Sequence, residues 1–161
     1  MKYKLCLLLA LVIVSGCADD FQSNIPNVKF SITLSLLNPY KDTHTGKLVS
    51  LSMPDTYLTL DRIDARFPTP SSYGLGYQGL IIYHSSFDEF YCFDRACPNC
   101  ANYGYPQTSI PNDNYQVTCP QCKQIYSLFN YGAPKNGKKG DQGLKIYKSY
   151  DVIRNSLRIA N

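Results

Sequence analysis

The chain has 161 residues with 16 basic and 12 acidic side chains, and two of the basic ones, Lys2 and Lys4, lie in an N-terminal segment that we predict to be removed. The rest of the chain has 14 basic and 12 acidic side chains, and so small a formal charge, +2, gives no support to a nucleic-acid partner. The 145 residues after position 16 suit one domain, which can bury about two-thirds of its extended surface without a disulfide scaffold.

The N-terminal segment has the pattern of an export signal. Two lysines precede an apolar run from Leu5 to Val14, and Ser15-Gly16-Cys17 follows it. This order predicts a secretory signal peptide over residues 1–16, because the run is about half of the roughly 20 residues that a membrane-spanning helix needs. A retained anchor helix is the alternative. Val14-Ser15-Gly16-Cys17 resembles a bacterial lipobox, and the resemblance implies an acylated Cys17 that holds the protein on a lipid bilayer.

A short polar segment separates this cysteine from the first strand pattern. We predict a lipidated tether over residues 17–27 and a domain over residues 28–161, because Pro26 closes the polar stretch. Asp19-Asp20 loosely resembles a surface-export signal of some bacterial lipoproteins, and a solvated linker explains the pair equally well. We therefore expect an exported protein anchored to the bacterial cell envelope, at the outer membrane.

Strand patterns dominate the domain. From Val28 to Leu36 apolar and polar residues alternate at every step, which predicts a strand with one buried face. Leu80–Tyr83 and Phe87–Phe93 predict a hairpin that leads into a cysteine-rich region. Further short strands are predicted at 48–51, 57–60, 115–118, 124–129, 144–150 and 156–159. Since no segment shows a sustained helical period, we predict an all-β domain with about ten short strands.

A glycine-rich segment lies before the hairpin. Gly74-Leu75-Gly76-Tyr77-Gln78-Gly79 matches the glycine spacing of dinucleotide-binding loops. A loop of that kind needs a strand before it and a helix N-terminus after it to bind a pyrophosphate. Here the strand follows the glycines, so we interpret them as a turn into that strand.

Two Cys-Pro-x-Cys sequences lie at the centre of the chain. We call Cys97–Cys100 hook 1 and Cys119–Cys122 hook 2; eighteen residues separate them. Four thiols at this spacing predict a tetrahedral metal site, because each hook places two soft ligands on one tight turn. Cys92 lies in an apolar strand pattern and is predicted to be a core residue. Disulfides or free thiols are the alternative, whereas thiol exchange would need a helix after a hook, and none is predicted.

The order of these elements resembles the Rieske domain. The resemblance covers about Gly79 to Ile159 and includes the hairpin, Phe-Asp-Arg-Ala-Cys-Pro, Thr-Cys-Pro-Gln-Cys, the aromatic strand after hook 2 and the Gly132-Ala133-Pro134 turn. It implies a Rieske-like antiparallel β-sandwich with a two-hook metal-binding subdomain over about 94–134, laid out as in rubredoxins and zinc ribbons. The whole chain is similar to a group of secreted bacterial lipoproteins with Rieske-like domains.

The ligands depart from the Rieske pattern, in which two cysteines and two histidines hold a [2Fe-2S] cluster. Cys97 and Cys119 match the two cysteines. Asn99 and Cys122 stand at the two histidine positions, and Cys100 is an additional thiol. The predicted ligand set is therefore that of a zinc ribbon or a rubredoxin.

The two histidines of the chain, His44 and His84, lie outside the hooks, and we expect both to be ordinary surface residues. Four sulfurs then predict one metal ion, zinc first, with mononuclear iron or an all-cysteine [2Fe-2S] cluster as alternatives. A closed four-thiolate site has no open position for water, so an enzyme is not expected. We predict a binding or assembly module with the bilayer and an unidentified protein or glycan as partners, and electron transfer as the alternative function.

Overall fold

The computed structural model describes residues 23–68, 74–138, 140–147 and 149–161. The predicted signal peptide, residues 1–16, and the predicted lipidation site Cys17 lie outside these ranges. Among the described residues, no helix is long and apolar enough to cross a membrane. Their regular elements are eleven strands and one short 3-10 helix, so the prediction of an all-β fold is confirmed.

The strands form small antiparallel sheets that are arranged in layers. In chain order the elements are β1 (Ser31–Ser35), β2 (Tyr40–Lys41), β3 (Leu48–Val49), β4 (Thr56–Leu60), β5 (Leu80–His84), β6 (Phe90–Asp94), the 3-10 helix (Pro98–Tyr103), β7 (Gln116–Thr118), β8 (Ile125–Ser127), β9 (Ala133–Pro134), β10 (Ser149–Ile153) and β11 (Ser156–Ala160). Among the described residues, β2 and β3 pair only with each other.

The first sheet joins the two ends of the domain. Its strand order is β1-β11-β10, and Leu34 of β1 lies opposite Leu157 of β11. Ile32 and Leu34 are buried, while Ser31 and Thr33 are exposed. Because successive side chains of a strand point to opposite faces, the predicted alternation places one face of β1 in the core, as the sequence analysis expected.

The second sheet, β4-β5-β6, is the central layer. All five residues of β5 are buried, because both faces of this sheet are covered. On one face Leu58 and Ile82 pack in the same cluster as Leu34 of the first sheet. On the other face Ile81 and Phe93 pack in the same cluster as three of the hook cysteines. The β5–β6 hairpin, which the sequence predicted, therefore separates the first sheet from the cysteine-rich region.

The burial of His84 corrects the prediction that it is a surface residue. His84 is the last residue of β5 and is 2% exposed. Its ring stacks on Phe90 with centroids 4.1 Å apart, and its Nε2 lies 2.8 Å from the Asp88 carboxylate. The expectation was wrong because the position looks like a hairpin turn in sequence, whereas Ser85 begins the turn one residue later.

The third sheet, β7-β8-β9, frames hook 2. β7 leads into the hook and β8 leaves it, with Val117 opposite Tyr126. β9 is added on the other edge of β8, where Pro134 pairs with Tyr126. Both ends of the hook are thus fixed by strand pairing. The strand predicted over 144–150 is observed only from Ser149 on, and Ile146 forms an isolated bridge with Phe93 instead.

The last part of the predicted tether contacts the domain. Ile25 is 4% exposed, and its carbonyl oxygen accepts a hydrogen bond from Lys145 Nζ at 3.2 Å. The Asn24 N–H donates to Gln142 Oε1 at 2.7 Å. The chain therefore joins the folded domain at Asn24, before the first strand.

A buried carboxylate organises the loop after β2. Asp42 is 1% exposed and accepts hydrogen bonds from the N–H groups of His44, Thr45 and Thr59 and from both threonine hydroxyls. Burial opposes ionisation of this carboxyl, but the hydrogen bonds from Thr45 and Thr59 outweigh burial and hold the pKa of Asp42 below 3.8. Asp42 thus stabilises the fold in its charged form.

We expect Asp42→Asn to lower the free energy of unfolding near neutral pH by about 2 to 4 kcal/mol, because an amide cannot accept all of these hydrogen bonds. A carboxyl with a depressed folded pKa stabilises the fold above its unfolded pKa of 3.8, and this contribution is lost as the pH falls through the folded value. Urea unfolding measured across the acid range should therefore show a steeper loss of stability in the wild type than in the variant. Equal slopes would contradict this assignment.

Candidate metal centre

The two hooks bring four thiols to one point. The Sγ atoms of Cys97, Cys100, Cys119 and Cys122 all lie within 4.8 Å of one another. The sulfur pairs Cys97–Cys122 and Cys100–Cys119 are each 3.7 Å apart. Metal–sulfur bonds of about 2.3 Å in tetrahedral geometry place the sulfurs about 3.8 Å apart, so the group has the dimensions of a site for one zinc or iron ion.

Hook 1 takes its shape from Pro98, which begins the 3-10 helix. The φ angle of proline suits the first helical position, where its missing N–H leaves no bond unmade. The Cys100 N–H donates to the Cys97 carbonyl at 3.3 Å, which closes the turn that carries both thiols. Gly104, with a left-handed φ of 69°, ends the helix. This helix is not evident in the sequence, because six residues are too few to show a helical period.

Hook 2 is the turn between β7 and β8. The Cys119 N–H donates to the Gln124 carbonyl at 2.9 Å, and the Lys123 N–H donates to the Cys119 carbonyl at 3.0 Å. Lys123 has a φ of 62°, a left-handed conformation that reverses the chain after Cys122. The backbone of the turn therefore fixes both thiols of hook 2 relative to the sheet.

Three of the four thiols are buried, and Cys122 is exposed. Burial raises the pKa of Cys100 to about 12, and it also raises the pKa of Cys97. Burial opposes ionisation of Cys119 as well, but N–H groups of Cys122 and Gln121 outweigh it and lower the pKa of Cys119. A bound cation stabilises all four thiolates at once, which makes a buried four-thiol group well suited to a metal.

A chain of hydrogen bonds supports Cys97. The Tyr126 hydroxyl is fully buried and lies 3.1 Å from the Cys97 sulfur. It accepts a hydrogen bond from Asn99 Nδ2 at 3.0 Å. The backbone of Gln142 holds Asn99, since its N–H donates to Asn99 Oδ1 at 3.0 Å and its carbonyl accepts from Asn99 Nδ2 at 3.2 Å. The hydroxyl proton of Tyr126 is left to donate to a thiolate at Cys97.

Tyr126→Phe should weaken zinc binding by about 10-fold to 100-fold while the fold is retained, because such outer hydrogen bonds orient and stabilise the ligands. Competition with a chelator measures the affinity. Tyr57→Phe is a matched control, because the Tyr57 hydroxyl donates to the Pro111 carbonyl at 3.1 Å instead. An equal affinity for zinc in the two variants would show that the Tyr126 hydroxyl does not support the site.

The Asp94 carboxylate joins the glycine-rich turn to hook 1. Asp94 is fully buried and accepts hydrogen bonds from the N–H groups of Tyr77 at 2.6 Å, Gln78 at 3.2 Å and Ala96 at 2.8 Å, and from the Tyr147 hydroxyl at 2.5 Å. Burial raises the pKa of Asp94, and these four hydrogen bonds act in the opposite direction. The turn that resembles a dinucleotide-binding loop thus binds a carboxylate of its own chain.

A second polar group lies next to this one. Arg95 is 1% exposed, and its Nη1 contacts His44 Nε2 and lies 3.4 Å from Asp61 Oδ1. The His44 side chain is 32% exposed, and its Nε2 lies 3.1 Å from the same carboxylate oxygen. Within the part of the chain that the structure describes, the thiol group includes neither His44 nor His84. The side chains that are close enough together to share one ion there are thus cysteines alone.

No protein-family model and no curated protein matches the chain. Among solved structures, the chain is similar to a protein of Mycobacterium tuberculosis assigned as an NADH-dependent nitrite reductase small subunit. The two share 8% sequence identity with a TM-score of 0.39, and the similarity covers 84% of this chain and 97% of that chain. A likeness this distant assigns neither a family nor a function.

Sequence reasoning found the four thiols but missed the residues that position them. Asn99 was weighed only as the replacement for a histidine ligand, whereas its amide holds Tyr126 against a sulfur. Tyr126 is one of 14 tyrosines in the chain, so nothing local distinguishes it. One feature of the sequence could have predicted the role of Asp94. It is an acidic residue at the end of an apolar strand, and such a residue needs hydrogen-bond donors when it is buried.

Proposed function

We propose that the chain is an exported, lipid-anchored binding or assembly module whose domain is stabilised by one zinc ion at Cys97, Cys100, Cys119 and Cys122. The observation that carries this proposal is the set of four sulfurs within 4.8 Å of one another. Four thiolates fill a tetrahedral coordination sphere and leave no position for substrate or water. A closed site of this kind supports a structural role rather than hydrolysis.

The sulfur spacing favours one ion over a [2Fe-2S] cluster. Such a cluster binds two cysteines at each of its two irons, so thiols on opposite irons lie far apart. Here the two 3.7 Å sulfur pairs, Cys97–Cys122 and Cys100–Cys119, each connect one hook to the other. All four sulfurs also lie within 4.8 Å of one another, a spread that supports a single ion, zinc or mononuclear iron.

The position of the site is consistent with a Rieske-like layout, which we keep as part of the proposal. The β5–β6 hairpin leads into hook 1, β8 leaves hook 2, and β9 contains the Ala133–Pro134 turn beside β8. The ligands are those of a zinc ribbon or rubredoxin. Because function follows the site rather than the fold, we assign the role from the ligands.

Anchoring and partners complete the proposal. Acyl chains on Cys17 would hold the domain at a bilayer of the cell envelope, the outer membrane in our proposal. An exposed aromatic pair offers a surface for a protein or glycan partner: Phe87 is 72% exposed, Phe129 is 54% exposed, and their ring centroids are 6.2 Å apart.

Metal analysis of the purified full-length protein, together with its visible spectrum, tests the structural site. We expect one zinc ion per chain and no visible absorption. Cys122→Ser should lose the zinc, whereas Cys92→Ala should keep it, because Cys92 is a buried thiol outside the group. Protein that binds no metal when supplied with zinc under reducing conditions would refute the proposal.

Electron transfer through mononuclear iron is the second candidate, and hydrogen bonds to the sulfurs favour it. Cys97 is contacted by the Tyr126 hydroxyl, and Cys119 accepts from N–H groups of its own turn. Hydrogen bonds to sulfur are among the factors that set the reduction potentials of iron–sulfur sites. Iron at the site, with sulfur-to-iron charge-transfer bands that bleach reversibly on reduction, would establish this function in place of the structural one.

A further inference from the structure

We infer that the hook end of the domain faces the lipid bilayer, so that the metal centre lies on the membrane side of the folded domain. This inference rests on the lipid anchor at Cys17 in the proposed function. It adds an orientation, which an anchor alone does not give, because a tethered domain can present any of its surfaces to the membrane.

The point where the tether meets the domain lies beside hook 1. The Asn24 N–H donates to Gln142 Oε1 at 2.7 Å, and the Gln142 N–H donates to Asn99 Oδ1 at 3.0 Å. Asn99 lies between the two thiols of hook 1 and binds the hydroxyl of Tyr126, which contacts the Cys97 sulfur. A continuous series of hydrogen bonds therefore connects the start of the folded chain to the thiol group.

The length of the tether keeps this end close to the membrane. From Cys17 to Asn24 the chain advances seven residues, which span at most about 25 Å when fully extended. With acyl chains of Cys17 in the bilayer, Asn24 cannot lie farther than this from the lipid surface. Ile25, the next residue, is 4% exposed, so the chain is packed into the domain directly after Asn24.

The first strand runs from the attachment point toward the opposite end of the domain. Val28 and Leu36 form hydrogen bonds with Asn161 and Asn155, the two residues that flank β11, and the eight residue steps from Val28 to Leu36 extend about 26 Å at ~3.3 Å per residue. At the near end, the Phe30 ring packs on Tyr147 with centroids 4.8 Å apart, and Tyr147 binds Asp94 next to hook 1. Leu37, directly after this run, therefore lies about 26 Å along the strand from the attachment point.

Charge favours the same orientation. Lys123, Lys135 and Lys138 are exposed, and they lie directly after hook 2 or in the loop beside β8. One acidic residue, Asp141, accepts from the N–H of Lys138 in this loop. Anionic headgroups attract nearby basic side chains by about 1 kcal/mol each, so a net basic rim favours contact with an anionic bilayer.

Single tryptophan residues can test the orientation, because the natural chain contains none. Gln121→Trp places a reporter at the exposed tip of hook 2, and Tyr103→Trp places a second one at the end of the 3-10 helix that begins in hook 1, where Tyr103 is 65% exposed. Leu37→Trp is the matched reporter at the far end, where Leu37 is 69% exposed. The full-length lipidated variants are reconstituted into phosphatidylethanolamine and phosphatidylglycerol vesicles that carry dansyl-labelled headgroups.

We expect energy transfer from tryptophan to dansyl to be several-fold higher for the two hook reporters than for Leu37→Trp. Mass spectrometry confirms the acyl chains on Cys17 and the metal content of each variant, and Cys17→Ser provides the background. Equal or reversed transfer in acylated, metal-loaded protein would overturn the orientation and leave the anchor intact. An unmodified Cys17 would overturn the anchor and the orientation together.

Discussion

Replacing Cys119 by serine is expected to abolish metal binding and to disorder both hooks. Cys119 is fully buried, and its sulfur lies 3.7 Å from that of Cys100, so its loss leaves three thiolates around an incomplete site. Structural zinc contributes an apparent free energy of about 10 to 16 kcal/mol, comparable to the ~5 to 15 kcal/mol that stabilises a whole domain. Hydrogen exchange should show lost protection across residues 97–128, while the sheets formed by β1-β11-β10 and β4-β5-β6 stay protected.

Cys92→Ala is the matched control for this experiment. Cys92 is 1% exposed and packs in the cluster between the first two sheets, so its replacement removes packing but no ligand. The control should bind one zinc ion per chain and keep the hooks protected from exchange. Wild-type zinc affinity in Cys119→Ser, or equal loss of zinc in both variants, would show that the four-sulfur group is not the metal site.

Replacing Asp94 by alanine is expected to lower the free energy of unfolding by about 3 to 5 kcal/mol, as judged by urea unfolding of the zinc-saturated protein. The change leaves three N–H groups and the Tyr147 hydroxyl without their acceptor in a fully buried place. It should also weaken zinc binding. Ala96 directly precedes Cys97, and its N–H loses the acceptor that holds it in place.

Asp88→Ala serves as the control for a lost carboxylate. The Asp88 side chain is 87% exposed and has one contact, with His84, in the part of the chain that the structure describes. His84 is buried and loses its Nε2 partner, but Asp88 itself is exposed, so the control should lose about 1 kcal/mol, clearly less than Asp94→Ala. A loss of stability in Asp94→Ala no larger than that in Asp88→Ala would show that Asp94 does not join the glycine-rich turn to hook 1.

The parts of the fold that the sequence predicted depend on neighbouring residues. The alternation from Val28 to Leu36 reveals β1 because the two faces of a strand differ in burial. The β5–β6 hairpin was also predicted, but β6 begins at Phe90 rather than at Phe87. The difference arises because Ser85 Oγ accepts from the N–H groups of Phe87 and Glu89 and extends the turn.

The same distinction applies to the candidate site, where neighbouring residues predict the thiols and only tertiary contacts position them. Each hook places two thiols on a single turn, so the spacing of proline and cysteine alone is enough to predict the four thiols of the group. That the hooks meet, and that Asn99 and Tyr126, 27 residues apart, together support one sulfur, follows only from the packing of β8 against hook 1. The same holds for the tether end beside Gln142. These contacts join segments far apart in the chain, and their energy depends on burial that no local pattern records.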